Sequence, residues 1–97
     1  MQEVFAHIYD TMQGIVIAPD GGLFVCGRAE HAPESIYHIR ARGQVEKWLD
    51  LPADARFLNG MTRLSDQVLL VADSFAATIW RVDIPHHQAT PWLTHET

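Results

Sequence analysis

"GIVIAPDGGLFVCG" spans residues 14–27 and "GMTRLSDQVLLVAD" spans residues 60–73. Aligned, Gly14 falls on Gly60, Asp20 on Asp66, Leu23 on Leu69 and Val25 on Val71, all 46 residues apart. A second pair of stretches continues the match: "SIYHIRARGQVEKWLDL" (35–51) and "TIWRVDIPHHQATPWLTHE" (78–96). There Ile36 falls on Ile79, Tyr37 on Trp80 and Ile39 on Val82 at 43 residues, then Trp48 on Trp92 and Leu49 on Leu93 at 44. The spacing drifts only where loops fall, so the chain carries an internal repeat, and a repeat of this period dictates architecture. A partial copy stands at the start, where "EVFAHI" (3–8) matches "VEKWLDL" (45–51) with Phe5 in the place of Trp48.

Each unit holds four short apolar runs rich in Val, Ile and aromatic residues. In the second unit they fall near 60–64, 68–73, 78–83 and 89–94. Turn signals separate the runs: "PDGG" (19–22), "RARG" (40–43), "LSDQ" (64–67) and "IPHH" (84–87). "VLLVA" (68–72) does not alternate cleanly, as expected of a strand covered on both faces. No segment has helical periodicity. Four antiparallel strands repeated every ~40–50 residues is the pattern of a β-propeller blade. A plain β-sandwich does not explain why Trp48 and Trp92 recur in register.

The expected fold is therefore all-β: two four-stranded antiparallel propeller blades over 11–54 and 55–97, with residues 1–10 an outer strand of a preceding blade. Propellers close with about four to eight blades, and two blades leave apolar faces in water. Three arrangements answer this. The chain is part of a longer propeller, several copies form a ring, or the two units pack as an irregular sandwich. A start in an outer strand and a stop at "THET" (94–97) favour the first.

Length and charge narrow the function. A chain of 97 residues makes one small domain, and such a chain buries only ~60–65% of its unfolded surface. The net charge is −5, and the seven Lys and Arg are scattered. That argues against nucleic acid, whose phosphates need a basic stripe. Cys26 is the single cysteine and sits inside "LFVC", so it is expected as a small buried side chain rather than a redox group. "MQEVFAHIYD" (1–10) is no signal peptide, and the longest apolar run is far too short to span a bilayer. A soluble, cytoplasmic protein without membrane partners is expected.

"IAPDGGLFVCG" (17–27), "NGMTRLSDQVLLVADSFAATIWRVD" (59–83) and the closing "WL" (92–93) resemble the senescence marker protein/gluconolactonase superfamily of six-bladed propellers. The likeness covers about residues 11–94, roughly a third of a full family member, and related strictosidine synthase-like and paraoxonase-like propellers share much of it. It implies hydrolysis of a lactone or related ester at one end of a central channel, around a divalent cation, often calcium or zinc. One ligand in that family is the Asn of an Asn-Gly pair opening an innermost strand, and Asn59 matches it. The acidic ligand of the family's first blade has no counterpart here, nor does its later Asn-Asp-Gly motif. Gln13 stands where some members have a substrate-contacting polar residue. Any metal is therefore expected only in a completed propeller, and whether this chain is an enzyme stays open.

The residues themselves allow two readings of Asn59. An amide oxygen is a hard, neutral ligand suited to calcium, with Gly60 permitting a sharp turn that aims it into a channel. Equally, Asn-Gly is an ordinary turn. Asp73 could orient the Asn59 loop or merely cap its strand through backbone hydrogen bonds. The six histidines show no metalloenzyme spacing. Glu30, Glu34, Asp50 and Asp54 lie in expected loops and need no catalytic role. Trp48, Trp80 and Trp92 are expected to fill space between blades. The alternative function is a non-catalytic propeller module that self-assembles, completing a ring as a homo-oligomer, or binds a partner.

Overall fold

The computed structural model describes residues 14–27, 33–40 and 42–94. The expected outer strand at 1–10 and the candidate residue Gln13 lie outside them. Among the described residues there are eight strands and no helix: β1 Gly14–Ile17, β2 Leu23–Gly27, β3 Ser35–Ile39, β4 Val45–Asp50, β5 Leu58–Arg63, β6 Val68–Asp73, β7 Thr78–Asp83 and β8 Gln88–Thr94. They form two four-stranded antiparallel sheets in the orders β1-β2-β3-β4 and β5-β6-β7-β8. The all-β expectation holds, and the third and fourth strands of the second unit shift by at most a residue from their expected bounds.

The turns follow from their residues. Gly21 and Gly43 take left-handed backbone (φ 89° and 86°) in the β1–β2 and β3–β4 turns of the first sheet. Asp20 Oδ1 accepts the Gly22 amide at 3.0 Å, and Ser65 Oγ accepts that of Gln67 at 3.1 Å.

The repeat extends to pairing register. The row Gly14-Cys26-Ile36-Leu49 runs across the first sheet, and Gly60-Ala72-Ile79-Leu93 across the second. Both outer strands bulge at the same place, with Trp48 the extra residue opposite Ile36 and Tyr37, and Trp92 the extra residue opposite Ile79 and Trp80.

Each sheet has two faces, called A and B here. The A face carries Val25, Tyr37 and Ile39 in the first sheet and their counterparts Val71, Trp80 and Val82 in the second. The B face carries the two rows above. The core forms where the B face of the first sheet meets the A face of the second: Phe24, Cys26 and Ile36 pack with Leu69, Val71, Trp80 and Val82. Burying an aliphatic side chain of this kind contributes roughly 1.5–3 kcal/mol. Non-equivalent faces meet, so the sheets stack head to tail.

Strand β2 is buried on both faces, whereas β6 alternates, with Leu69 and Val71 buried, Leu70 half-buried and Ala72 exposed. The expectation that "VLLVA" is covered on both sides is corrected. Its B face lacks the cover that the second sheet gives the first among the described residues. Trp80 fills the seam and is buried. Trp48 stacks on Phe24 (centroids 4.6 Å) and reaches His87 of the second sheet's last turn (4.7 Å). Trp92, expected between blades, is instead 55% exposed, and no second sheet among the described residues lies against it.

Candidate functional site

Two of the candidate residues, Asn59 and Asp73, meet where β5 begins. Leu58 pairs with Asp73 and Gly60 with Ala72, leaving Asn59 as an extra residue in a β-bulge. A bulge redirects the side chain it carries and locally bends the strand. Asn59 is exposed and lies inside β5, not before it, because the strand starts two residues ahead of the expected 60–64 run. Gly60 does not supply a sharp turn, because its backbone lies outside the left-handed region.

Two buried carboxylates hold the chain leading to Asn59. Asp73 accepts the backbone amides of Arg56 (2.8 Å), Phe57 (3.0 Å) and Ala76 (3.0 Å), and the Trp80 indole N–H (3.2 Å). Glu34, from the loop before β3, accepts the Leu58 amide at 2.8 Å. Three consecutive amides, 56–58, thus donate to acids from both sheets. Burial pushes the Asp73 pKa up, but the donors from Arg56, Ala76, Phe57 and Trp80 outweigh it and leave the carboxyl below the ordinary aspartate value. Asp73 caps the 74–77 turn through Ala76 and holds the backbone of residues 56 and 57 on the way to Asn59.

Glu34 was not singled out from the sequence, where it reads as one of several loop acids. Its signal is indirect. It occupies the position of Ala77 in the second unit, so it breaks the repeat where a cross-sheet contact is made. Ser35 and Thr78, by contrast, obey the repeat: each hydroxyl donates to the carbonyl two residues back, Pro33 at 3.0 Å and Ala76 at 2.9 Å.

Beside this edge, Phe57 and Phe75 pack ring on ring (5.0 Å), with Phe75 70% exposed. Hollows of about 260 and 250 Å³ lie on the B face of the second sheet, lined mainly by Gly60, Leu70, Ala72, Ile79 and Leu93. They are depressions in an open sheet face, not an enclosed pocket.

The remaining charged groups lie elsewhere. His38 sits between two acids, with Nε2 3.0 Å from Asp20 Oδ2 and Nδ1 3.4 Å from Glu46, which Arg40 also meets at 3.3 Å. The Gly22 amide and then His38 lower the Asp20 pKa, and His38 and then Arg40 lower that of Glu46. In the last turn, His86 lowers the Asp83 pKa through a 3.0 Å contact. Among the described residues, no three His, Cys, Asp or Glu side chains are placed to hold a metal ion. One amide oxygen at Asn59 does not make a calcium site, which takes six to eight oxygens. The Asp73 carboxylate is already occupied by N–H donors. The described residues thus do not fit a complete metal centre. Among them, no helix is long and apolar enough to cross a membrane.

No protein-family model matches the sequence, and no curated protein matches it.

Proposed function

We propose that this chain is a two-blade β-propeller module that works by stacking with further blades. The observation that carries this reading is the head-to-tail meeting of non-equivalent faces in the seam. A two-fold sandwich would join like faces. Head-to-tail stacking continues until a ring closes, which is how propellers are built.

Within such a ring, Asn59 is this chain's contribution to the channel mouth. The resemblance to gluconolactonase-like propellers assigns to that mouth the hydrolysis of a lactone or ester with a divalent cation. The acidic ligands come from other blades. Asp73 and Glu34 serve by fixing the loop that presents Asn59.

The test is a titration of the purified chain with calcium and with zinc, followed by mass measurement, melting and lactone hydrolysis. The expected result is a cation-dependent rise in melting temperature in the associated species, lost in Asn59→Ala. Indifference of mass, melting and hydrolysis to either cation and to EDTA sinks the catalytic part. The module then stands as a non-catalytic stacking unit, a reading favoured by the wide open B face of the second sheet.

A further inference from the structure

Asn59 is the single asparagine of the chain, and glycine follows it. This pair has a covalent chemistry of its own, apart from any turn or metal. Asparagine is among the labile side chains. Its carboxamide carbon can be reached by the backbone nitrogen of the next residue, closing a five-membered ring. The side chain of that next residue is the main hindrance, and Gly60 has none. A Cβ built at Gly60 would have Ala72 Cβ, at 3.8 Å, as its nearest neighbour among the described residues, so the surroundings are roomy. Asn59 is also the extra residue of the β5 bulge, with no register partner on β6.

The fold holds this chemistry back. Gly60 is paired with Ala72, and an extended, paired backbone keeps its nitrogen away from the Asn59 side chain. The residues just before are tied down as well, Arg56 and Phe57 by Asp73 and Leu58 by Glu34. The Glu34 contact, 2.8 Å long, holds the amide of the residue next to Asn59. Ring closure therefore requires this end of β5 to lift, a local opening of the sheet.

We propose that Asn59 is a site of spontaneous covalent modification, converted by water to a carboxylate when the Glu34–Leu58 contact opens. The Gly60 nitrogen attacks Asn59 Cγ and forms a C–N bond. The Cγ–Nδ2 bond breaks, and the amide group leaves as ammonia with the proton lost by the Gly60 nitrogen. Water then opens the cyclic imide at either carbonyl. Opening at the side-chain carbonyl, Cγ, leaves an aspartyl residue with the ordinary backbone, and opening at the main-chain carbonyl leaves an isoaspartyl linkage. Ammonia is released, water is consumed, and nothing is oxidised or reduced. Either product carries a new negative charge, so a chain that has opened is marked at residue 59. None of this rests on the propeller reading.

The experiment incubates the purified chain at neutral pH in a series of sub-denaturing urea concentrations and in fully denaturing urea. Trypsin then releases residues 57–63, which hold Asn59 and no glutamine. Mass spectrometry reads the exchange of amide for carboxyl, and chromatography separates the two products. Conversion is expected to be fastest in the unfolded chain. In the folded chain it should rise with urea in step with hydrogen exchange at the Leu58 amide. Glu34→Ala, while folded, is expected to convert roughly 5- to 150-fold faster than the wild type, the factor that a lost buried hydrogen bond gives to opening. Gly60→Ala should lose most of the conversion even in denaturing urea, where its folding has no bearing.

A folded wild type that converts as fast as the unfolded chain overturns the proposal, as does a folded Glu34→Ala that converts no faster than the wild type. Should Glu34→Ala not fold, the urea series on the wild type decides, and conversion that does not follow Leu58 exchange overturns the gating. Conversion undiminished in Gly60→Ala overturns the imide route, and no conversion in denaturing urea overturns the site itself.

Discussion

Ile36 and Ile79 occupy the same place in two copies of one sheet, yet the first is fully buried and the second half-exposed. Sequence alone sets the two in register and does not tell them apart. The difference lies in the neighbour: the second sheet covers Ile36, and no other described sheet lies over Ile79. Equivalent residues thus carry different energies according to whether a seam has formed over them, and this comparison can be tested position by position.

The largest effect is expected where the repeat is broken. Asp73 answers to Gly27 in the first sheet, so no repeat-wide role protects it. Asp73→Ala leaves four N–H donors without their acceptor, each costing roughly 1–3 kcal/mol when buried. Loss of the cooperative melt is the expected result; a shift of only a few degrees would show that water replaces the carboxylate. Next, Ile36→Ala should cost about 2–5 kcal/mol, and Ile79→Ala about 1 kcal/mol or less, as read by chemical denaturation of the monomer. Equal costs would mean the open face is covered in solution. Trp48→Ala should likewise destabilise by about 2–3 kcal/mol through its contacts with Phe24 and His87. Trp92→Ala should stay within about 0.5 kcal/mol in the monomer.

The smallest and most gradual effect is acid sensitivity. The folded pKa of Asp73 lies below its unfolded value of about 3.9. Its stabilisation is therefore complete at neutral pH and is lost as pH falls through the folded value. Melting temperature should stay level down to about pH 5 and drop below about pH 4. Asp73→Asn should flatten that acid limb relative to the wild type. The exposed Asp20 and Glu46 pairs with His38 add little, since solvent screens them.

The sequence displays the repeat because each sheet needs the same row of small and branched residues and the same turn chemistry. The two four-stranded sheets and the buried Trp80 follow from that pattern, whereas the outer-strand bulges appear only in the pairing. What it hides is asymmetric. Periodicity cannot say which copy has a neighbour, so Trp92 and the B face of "VLLVA" read as covered when they are not. The Asn59 bulge needs one residue more on β5 than on β6, a count that strand pattern does not reveal. Glu34 escapes because its partner is a backbone amide 24 residues away, and any residue carries an amide.

The clasp on residues 56–58 has a consequence for how the molecule opens. Repeat proteins can fray unit by unit, since each copy touches only its neighbours. Here one acid comes from each repeat, and between them they hold three consecutive amides, Asp73 those of Arg56 and Phe57 and Glu34 that of Leu58. Opening either sheet strands a buried carboxylate belonging to the clasp. The two copies are thereby joined into one cooperative unit, and hydrogen exchange at Arg56, Phe57 and Leu58 reports the opening of the whole rather than of a half.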